Sequence, residues 1–425
     1  MLPVLNSTRV RHFRRNLLIF LAVLGPGIIT ANVDNDAGGI YTYSVAGAAY
    51  GYSLLWTLIP ITVALIVVQE MVARMGVVTG KGLADLIREE YGLRTTFILM
   101  VLLLVANLGN TVANFAGLAS GMSVFGASRF IVVPLGALII WLLVVKGTYR
   151  VVENVFLAAC VFYLAYPVSC FFARPDWSHA LVSTVKPSFH FDAGYLYMMV
   201  GMVGTTIAPW MQFYQQASVV EKGIKLKNYA LARWDVIVGM ITTDVVAFFI
   251  IVACASTIYV SGSRHIGDAA DAALALRPLA GHAAGALFAF GLVNASLFAA
   301  SILPLSTAYY VCEGLGLESG INKRFNEAPV FYWLYTGLIV LGALSVVLLS
   351  EAKQVPIILL SQVANGVLLP VVLIFMLRLS NREDLMGNYR NSRFFNTIAW
   401  TTSIVMIILT VLLLVSSFFP GHLPV

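Results

Sequence analysis

Apolar residues run through the chain in long blocks separated by short polar stretches, and each block is of a length that can cross a bilayer, about 20 residues. The blocks fall at 17–49, 54–76, 94–122, 128–146, 151–172, 194–217, 234–260, 285–312, 329–349, 356–378 and 396–418. They predict an all-α polytopic membrane protein with about 11 transmembrane helices. The first block is too long for one straight crossing and is interrupted by Asp34-Asn35-Asp36-Ala37-Gly38-Gly39. It reads as two half-helices joined at 36–39. A second interruption lies at Thr205-Thr206-Ile207-Ala208-Pro209-Trp210, where a proline removes a backbone hydrogen bond and crowds the preceding turn.

The interruptions fall in the first and sixth spans. Broken segments at matching places in two five-span halves point to an inverted-repeat transporter with its site between the breaks. The predicted organisation is a single transmembrane domain over 1–425, with a first repeat at 1–172, a second at 194–378 and an extra C-terminal helix at 396–418. The polar connections at 173–193 and 261–284 are too short to hold a soluble domain.

Composition agrees with the pattern. The chain is 60% hydrophobic and 11% charged, with a mean hydropathy of +0.88, against roughly 25% charged residues in soluble domains. With a cytoplasmic N-terminus, the 26 Lys and Arg residues lie inside except Arg129, Arg174, Lys186, Arg264, Arg277 and Lys353. This positive-inside bias predicts a plasma-membrane protein with its C-terminus outside. It also accounts for a net charge of +6 without nucleic acid, because the basic residues face anionic lipid. No cleavage site follows the first basic cluster, so the first apolar block is expected to be retained.

The candidate chemistry lies in the helices. An ionised Asp at a helix centre costs about 2.5 to 3.5 kcal/mol on insertion scales, so it usually marks a substrate or ion pathway. An unwound stretch beside it frees carbonyls that can coordinate a cation. Cys160, Cys170, Cys254 and Cys312 are scattered without metal-binding spacing. None of His12, His179, His190, His265, His282 and His422 falls mid-span, which argues against a zinc site. Gly76-Val77-Val78-Thr79-Gly80-Lys81-Gly82 has one residue too few between its glycines for a phosphate loop and no Ser/Thr after Lys81; a turn is expected. No nucleophile, base and orienting group cluster, so an enzyme is not expected.

Gly25-Pro26-Gly27 through Asp36-Ala37-Gly38-Gly39 to Leu54-Leu55-Trp56, then Gly76 to Lys81, resembles the start of the natural resistance-associated macrophage protein (NRAMP) divalent-metal transporters. Ser361-Gln362-Val363 with Leu369-Pro370, followed by Leu385-Met386-Gly387, continues the likeness. The family's first-span motif is Asp-Pro-Gly-Asn, and Asp36, Ala37, Gly38 and Gly39 stand in its place. The carboxylate is kept and the amide is lost. In the sixth span, Ala208, Pro209 and Trp210 stand where the family has methionine followed by Pro-His. A thioether favours softer metals over Mg²⁺ and Ca²⁺, so alanine removes that discrimination.

Gly39 and Ala208 are expected to leave room for water. Mg²⁺ dehydrates reluctantly and is held by one or two carboxylates while keeping several waters. The pattern is similar to the NRAMP-related magnesium transporters, a branch that carries Mg²⁺ and accepts Mn²⁺. The resemblance also implies a proton route through acidic residues of the third span and histidines of the sixth. Here those places hold Asn107 and Asn110, with Asn114 a turn further, and Trp210 and Gln215. Amides do not titrate near neutral pH, so uptake uncoupled from protons is expected.

The expected metal site is therefore Asp36, Gly39, Thr205, Ala208 and Gln362, with Asp34, Trp210 and Asn365 around it, and no resident cofactor. Each has a plainer reading. Asp36 and Asp34 would cap half-helices, Thr205 would bond the preceding turn, Gln362 and the asparagine face would glue helices together, and Trp210 would only pack. Asp244 and Asn294 are intramembrane polar residues left outside the site. The expected function is uptake of hydrated Mg²⁺, and Mn²⁺, by alternating access. The alternative is a proton-coupled Mn²⁺/Fe²⁺ transporter. A carrier of an organic solute is disfavoured, because the carboxylate would repel a substrate carboxylate. A membrane receptor is disfavoured by the short loops.

Overall fold

The protein is described by a computed structural model covering residues 25–189, 193–262, 266 and 269–418. Every regular element in it is helical. The first apolar block resolves into α1 (Pro26–Asp34) and α2 (Ala37–Tyr50), separated by Asn35 and Asp36. Then come α3 (Leu58–Thr79), α4 (Leu83–Ser123), α5 (Arg129–Lys146), α6 (Tyr149–Val161), α7 (Ala165–Phe172) and a short α8 (Trp177–Val185). The sixth block resolves into α9 (Ala193–Thr206) and α10 (Pro209–Glu221), separated by Ile207 and Ala208. The chain continues through α11 (Tyr229–Cys254), α12 (Ala269–Ala280), α13 (His282–Leu315), α14 (Pro329–Leu348), α15 (Glu351–Ser380), α16 (Glu383–Met386) and α17 (Arg393–Phe418).

Among the described residues eight helices are long and apolar enough to cross a membrane, or nine if α15 and its bent continuation through α16 form one span. In their described residues the eleven expected blocks are each mainly helical, with breaks at 35–36 and 207–208. The first and sixth fall short of that count because their helices are interrupted, and the first also begins outside the described residues. The helices outrun the apolar blocks where polar residues continue the helical pattern. α4 begins at Leu83 rather than 94, because residues 83–91 form an amphipathic first segment that kinks at Gly92, where φ is +80°. Gly76 to Thr79 lie in α3, and the turn begins at Gly80 in the left-handed conformation that ends the helix. The connections expected as loops hold α8 and α12.

α13 and α4 pack along each other at the centre, and α11 covers α1, α2 and α3. Small residues let α1 and α11 touch backbone to backbone. A Cβ on Gly27 would sit 2.6 Å from the Val236 nitrogen, and one on Gly239 would sit 2.7 Å from the Gly27 carbonyl oxygen. The start of α1 is capped from α11 as well. The Asp235 carboxylate accepts from the backbone N–H groups of Gly25 at 3.1 Å, Gly27 at 2.7 Å and Ile28 at 3.4 Å. These donors have no partner within α1, and a carboxylate is favoured at this positive end of the helix dipole.

Candidate cation site

Both ends of the first break are organised by side chains from other helices. Asn35 donates to the Thr243 carbonyl at 3.0 Å and to its hydroxyl at 2.6 Å, and that hydroxyl donates to the Ala31 carbonyl at 2.6 Å. The last turn of α1 is thereby tied to α11. Asp36 caps α2, with Oδ1 accepting from the Gly39 N–H at 2.8 Å. Its Oδ2 accepts from Asn114 Nδ2 at 2.9 Å, while Asn114 Oδ1 accepts from the Ala37 N–H at 3.1 Å. Asn114 thus clamps both the cap and the first free donor of α2. Asp34, at the negative end of the α1 dipole, is 3% exposed, and neither carboxylate oxygen has a hydrogen-bond partner.

The second break is neutral. Pro209 opens α10 at a position whose N–H would have no helical partner, so the proline costs nothing there. Ala208 is extended, with φ −73° and ψ 141°. Its carbonyl accepts from the Met211 N–H at 3.1 Å and, with the amide turned to satisfy both its ends, from Gln212 at 2.7 Å. Thr206 donates to the Met202 carbonyl at 2.7 Å and shares a 2.6 Å bond with the Tyr43 hydroxyl, joining α9 to α2. Thr206 bonds the preceding turn; Thr205 faces the cavity.

That cavity lies between the breaks. α1, α2's cap and α4 contribute Val33, Asp34, Asp36 and Asn110, while the second break and α15 contribute Thr205, Ala208, Trp210 and Asn365. About 10 Å³ is open to the centre of a water molecule, enough for one water or one ion. Asn110 is held by Asn365 Nδ2 at 3.2 Å and itself donates to Asn107 Oδ1 at 3.4 Å. Asn107 donates to the Thr307 hydroxyl at 3.0 Å, carrying the chain of amides across to α13.

Most of the expected residues therefore meet: Asp34, Asp36, Thr205, Ala208, Trp210, Asn110 and Asn365 share one cavity. Gly39 does not line it. A Cβ there would lie 2.6 Å from the Asp34 carbonyl oxygen and 3.6 Å from Thr205 Oγ1, so the missing side chain permits a close approach of backbone rather than vacating space for water. Asn107 stands behind Asn110. Gln215 is buried in α10 away from the cavity, with neither end of its amide bonded. Gln362 lies in α15, but its side chain falls outside the described residues. Asn294 bonds the Ala159 carbonyl at 3.1 Å and holds α13 to α6. The sequence reading missed Asn114 as a partner of Asp36; the signal was there in the 107, 110, 114 spacing.

The pattern of the family described as natural resistance-associated macrophage protein-like matches residues 27–416. The chain belongs to the NRAMP family. As an NRAMP protein it is a divalent-metal transporter and not an enzyme. Its fold is shared with solved NRAMP structures. A manganese transporter from Eremococcus coleocola, in complex with an aromatic bis-isothiourea substituted compound, aligns at TM-score 0.77 and 21% identity over 95% of this chain and 89% of that one. A mutant of that transporter with one histidine replaced by alanine aligns at 0.77 and 20% over the same shares. MhsT in complex with L-phenylalanine aligns at TM-score 0.62 and 12% identity, over 92% of this chain and 98% of that one.

Within this NRAMP cavity the donors are two carboxylates, a hydroxyl and side-chain amides. Oxygen donors of this kind suit hard cations. Among the described residues no three His, Cys, Asp or Glu side chains converge as a metal cluster. An ion here would accordingly be held by few protein ligands and would complete its shell with water.

Proposed function

We propose that this NRAMP-family transporter carries Mg²⁺, and accepts Mn²⁺, by alternating access in the plasma membrane, with its N-terminus cytoplasmic and without obligatory proton exchange. The observation that carries the reading is the donor set around Asp36: oxygen from Asp36, Thr205, Asn110 and Asn365, with Ala208 supplying no sulfur. Mg²⁺ keeps waters and takes one or two carboxylates, whereas a thioether would tilt the site toward softer metals. The expected water-mediated contribution of Gln362 belongs to this reading. The cavity holds about one water in this conformation, so the hydrated ion enters when the helices part and sheds waters as they close. Gly39 supports that closing by letting α2 approach the Asp34 backbone.

Uncoupled transport is supported by Asn107, Asn110 and Asn114, which are hydrogen-bonded amides on the face of α4 beside the cavity. Such groups hold no exchangeable charge near neutral pH. An inside-negative potential drives a divalent cation inward by about 4.6 kcal/mol per 100 mV. A second reading is a proton-coupled Mn²⁺ or Fe²⁺ transporter; the likeness to the Eremococcus coleocola manganese transporter favours its Mn²⁺ part.

Uptake into proteoliposomes separates the two, with one dye for Mg²⁺ or Mn²⁺ and another for lumenal pH. Mg²⁺ influx without acidification is the expected result. Mn²⁺ influx with acidification and no Mg²⁺ flux would establish the second reading instead.

A further inference from the structure

Three acidic side chains lie near the first break, and only one is provided for. Asp36 has a donor on each oxygen. Asp34, 3% exposed, has none on either oxygen; Asp244, 5% exposed, has only the Thr62 hydroxyl in reach, and that hydroxyl donates to the Leu58 carbonyl. Asp235, at the opposite end of α1, shows how a buried carboxylate in this protein is ordinarily satisfied, by three backbone N–H groups. Asp34 lines the cavity. Asp244 follows Thr243 in α11, the residue that binds Asn35 and the Ala31 carbonyl, and lies in electrostatic range of Asp34 and of Tyr43.

The electrostatic surroundings are one-sided. The charges acting on Asp34 are Asp244 and Asp36; the polar group acting on Asp244 is the Thr62 hydroxyl. No Lys, Arg or His stands among them. The C-terminal end of the α1 dipole adds negative potential at Asp34. Tyr43, held by Thr206, lies in range of all three carboxylates and offers a neutral dipole. Two carboxylates at membrane depth are costly to keep ionised without a counter-charge; a proton or a cation relieves that cost, and no basic side chain among the groups acting on them does so. The three carboxylates do not converge on one point, so a single ion cannot satisfy them all.

We propose that Asp34 and Asp244 form a second divalent-cation subsite, adjoining the one at Asp36 and holding a hydrated Mg²⁺ through water on its way into or out of the cavity. Two carboxylates and a retained water shell suit Mg²⁺, and a site without nitrogen or sulfur donors offers softer metals no advantage. Asp34 faces both subsites and is the carboxylate an ion would share while passing between them. The inference rests on the Mg²⁺ reading of the Asp36 site.

Binding stoichiometry tests it on the full-length purified protein. Calorimetric titration with Mg²⁺ is expected to give two ions per wild-type protein, one for Asp244→Asn and two again for Asp244→Glu. In proteoliposomes Asp244→Asn is expected to raise KM for Mg²⁺ about tenfold with kcat retained. One ion in the wild type, with Asp244→Asn unchanged in both assays, overturns the subsite and leaves the Asp36 reading standing. No Mg²⁺ bound by the wild type overturns both. Should the Asn variant not fold, anomalous scattering from wild-type crystals soaked in Mn²⁺ decides the matter. A peak beside Asp244, distinct from one at Asp36, supports the subsite, and a single peak at Asp36 overturns it.

Discussion

The two interrupted helices meet at one cavity but bring opposite chemistry to it. The α1–α2 break carries both carboxylates, and its ends are tied by Asn114 from α4 and Thr243 from α11. The α9–α10 break carries no charge and contributes Thr205, Ala208 and a tryptophan wall. On the proposed reading the first break decides whether a cation is held at all and the second which cation is preferred, so substitutions in the two places should fail in different ways.

The largest separation is expected from Asp36→Ala. Removing the cavity's capped carboxylate should lower Mg²⁺ uptake by at least about a hundredfold, the loss of a charged ligand worth roughly 3 kcal/mol. Melting of the purified protein should show it still folded. Mg²⁺ flux at the wild-type level would take Asp36 out of the site. Next comes Asn114→Leu, which leaves Asp36 Oδ2 and the Ala37 N–H without their partner; each buried orphan costs about 1–3 kcal/mol. Both uptake and melting temperature should fall, and an unaltered pair of measurements would mean that Gly39 alone orients the carboxylate.

The second break should move preference rather than capacity. Ala208→Met places a thioether at the cavity and is expected to shift the Mn²⁺ over Mg²⁺ ratio of kcat/KM by about tenfold toward Mn²⁺. If the ratio stays put, soft-ligand discrimination does not operate there. The smallest effect is expected from Thr205→Val, which keeps shape and deletes one hydroxyl, worth about 0.5–1.5 kcal/mol. A two- to tenfold rise in KM for both ions would fit. A change in one ion only would transfer part of the selectivity from Ala208 to Thr205.

Much of this arrangement could be read along the chain, and what escaped did so for definable reasons. Asp34, Asp36 and Pro209 announce themselves because charge and proline are costly inside an apolar run, and both breaks lie where those residues put them. The recurrence of Asn107, Asn110 and Asn114 marks a face, but spacing does not name what the face meets; that Asn114 grips a carboxylate 78 residues earlier is a tertiary fact. Gly39 is a related case. An absent side chain looks the same in sequence whether it leaves a void or admits a neighbouring backbone, and here it admits Asp34. Asp244 had no evident partner in the sequence, and only packing brings it to the break. Helix ends escape where Leu83 to Tyr91 keep a helical pattern with charged residues interleaved among the apolar ones, outside any apolar block.

The contact between Gly27 and Gly239 has a mechanical meaning. Where two backbones touch with no side chains between them, there is no flexible layer to shear, and Asp235 and Thr243 pin the same pair of helices at two further levels. α1 and α11 therefore form one rigid pair. α2 is fastened to the same helix, with Gly47 against the Ile251 carbonyl, so α11 braces both half-helices and sets the place of the break between them, and of Asp36 with it.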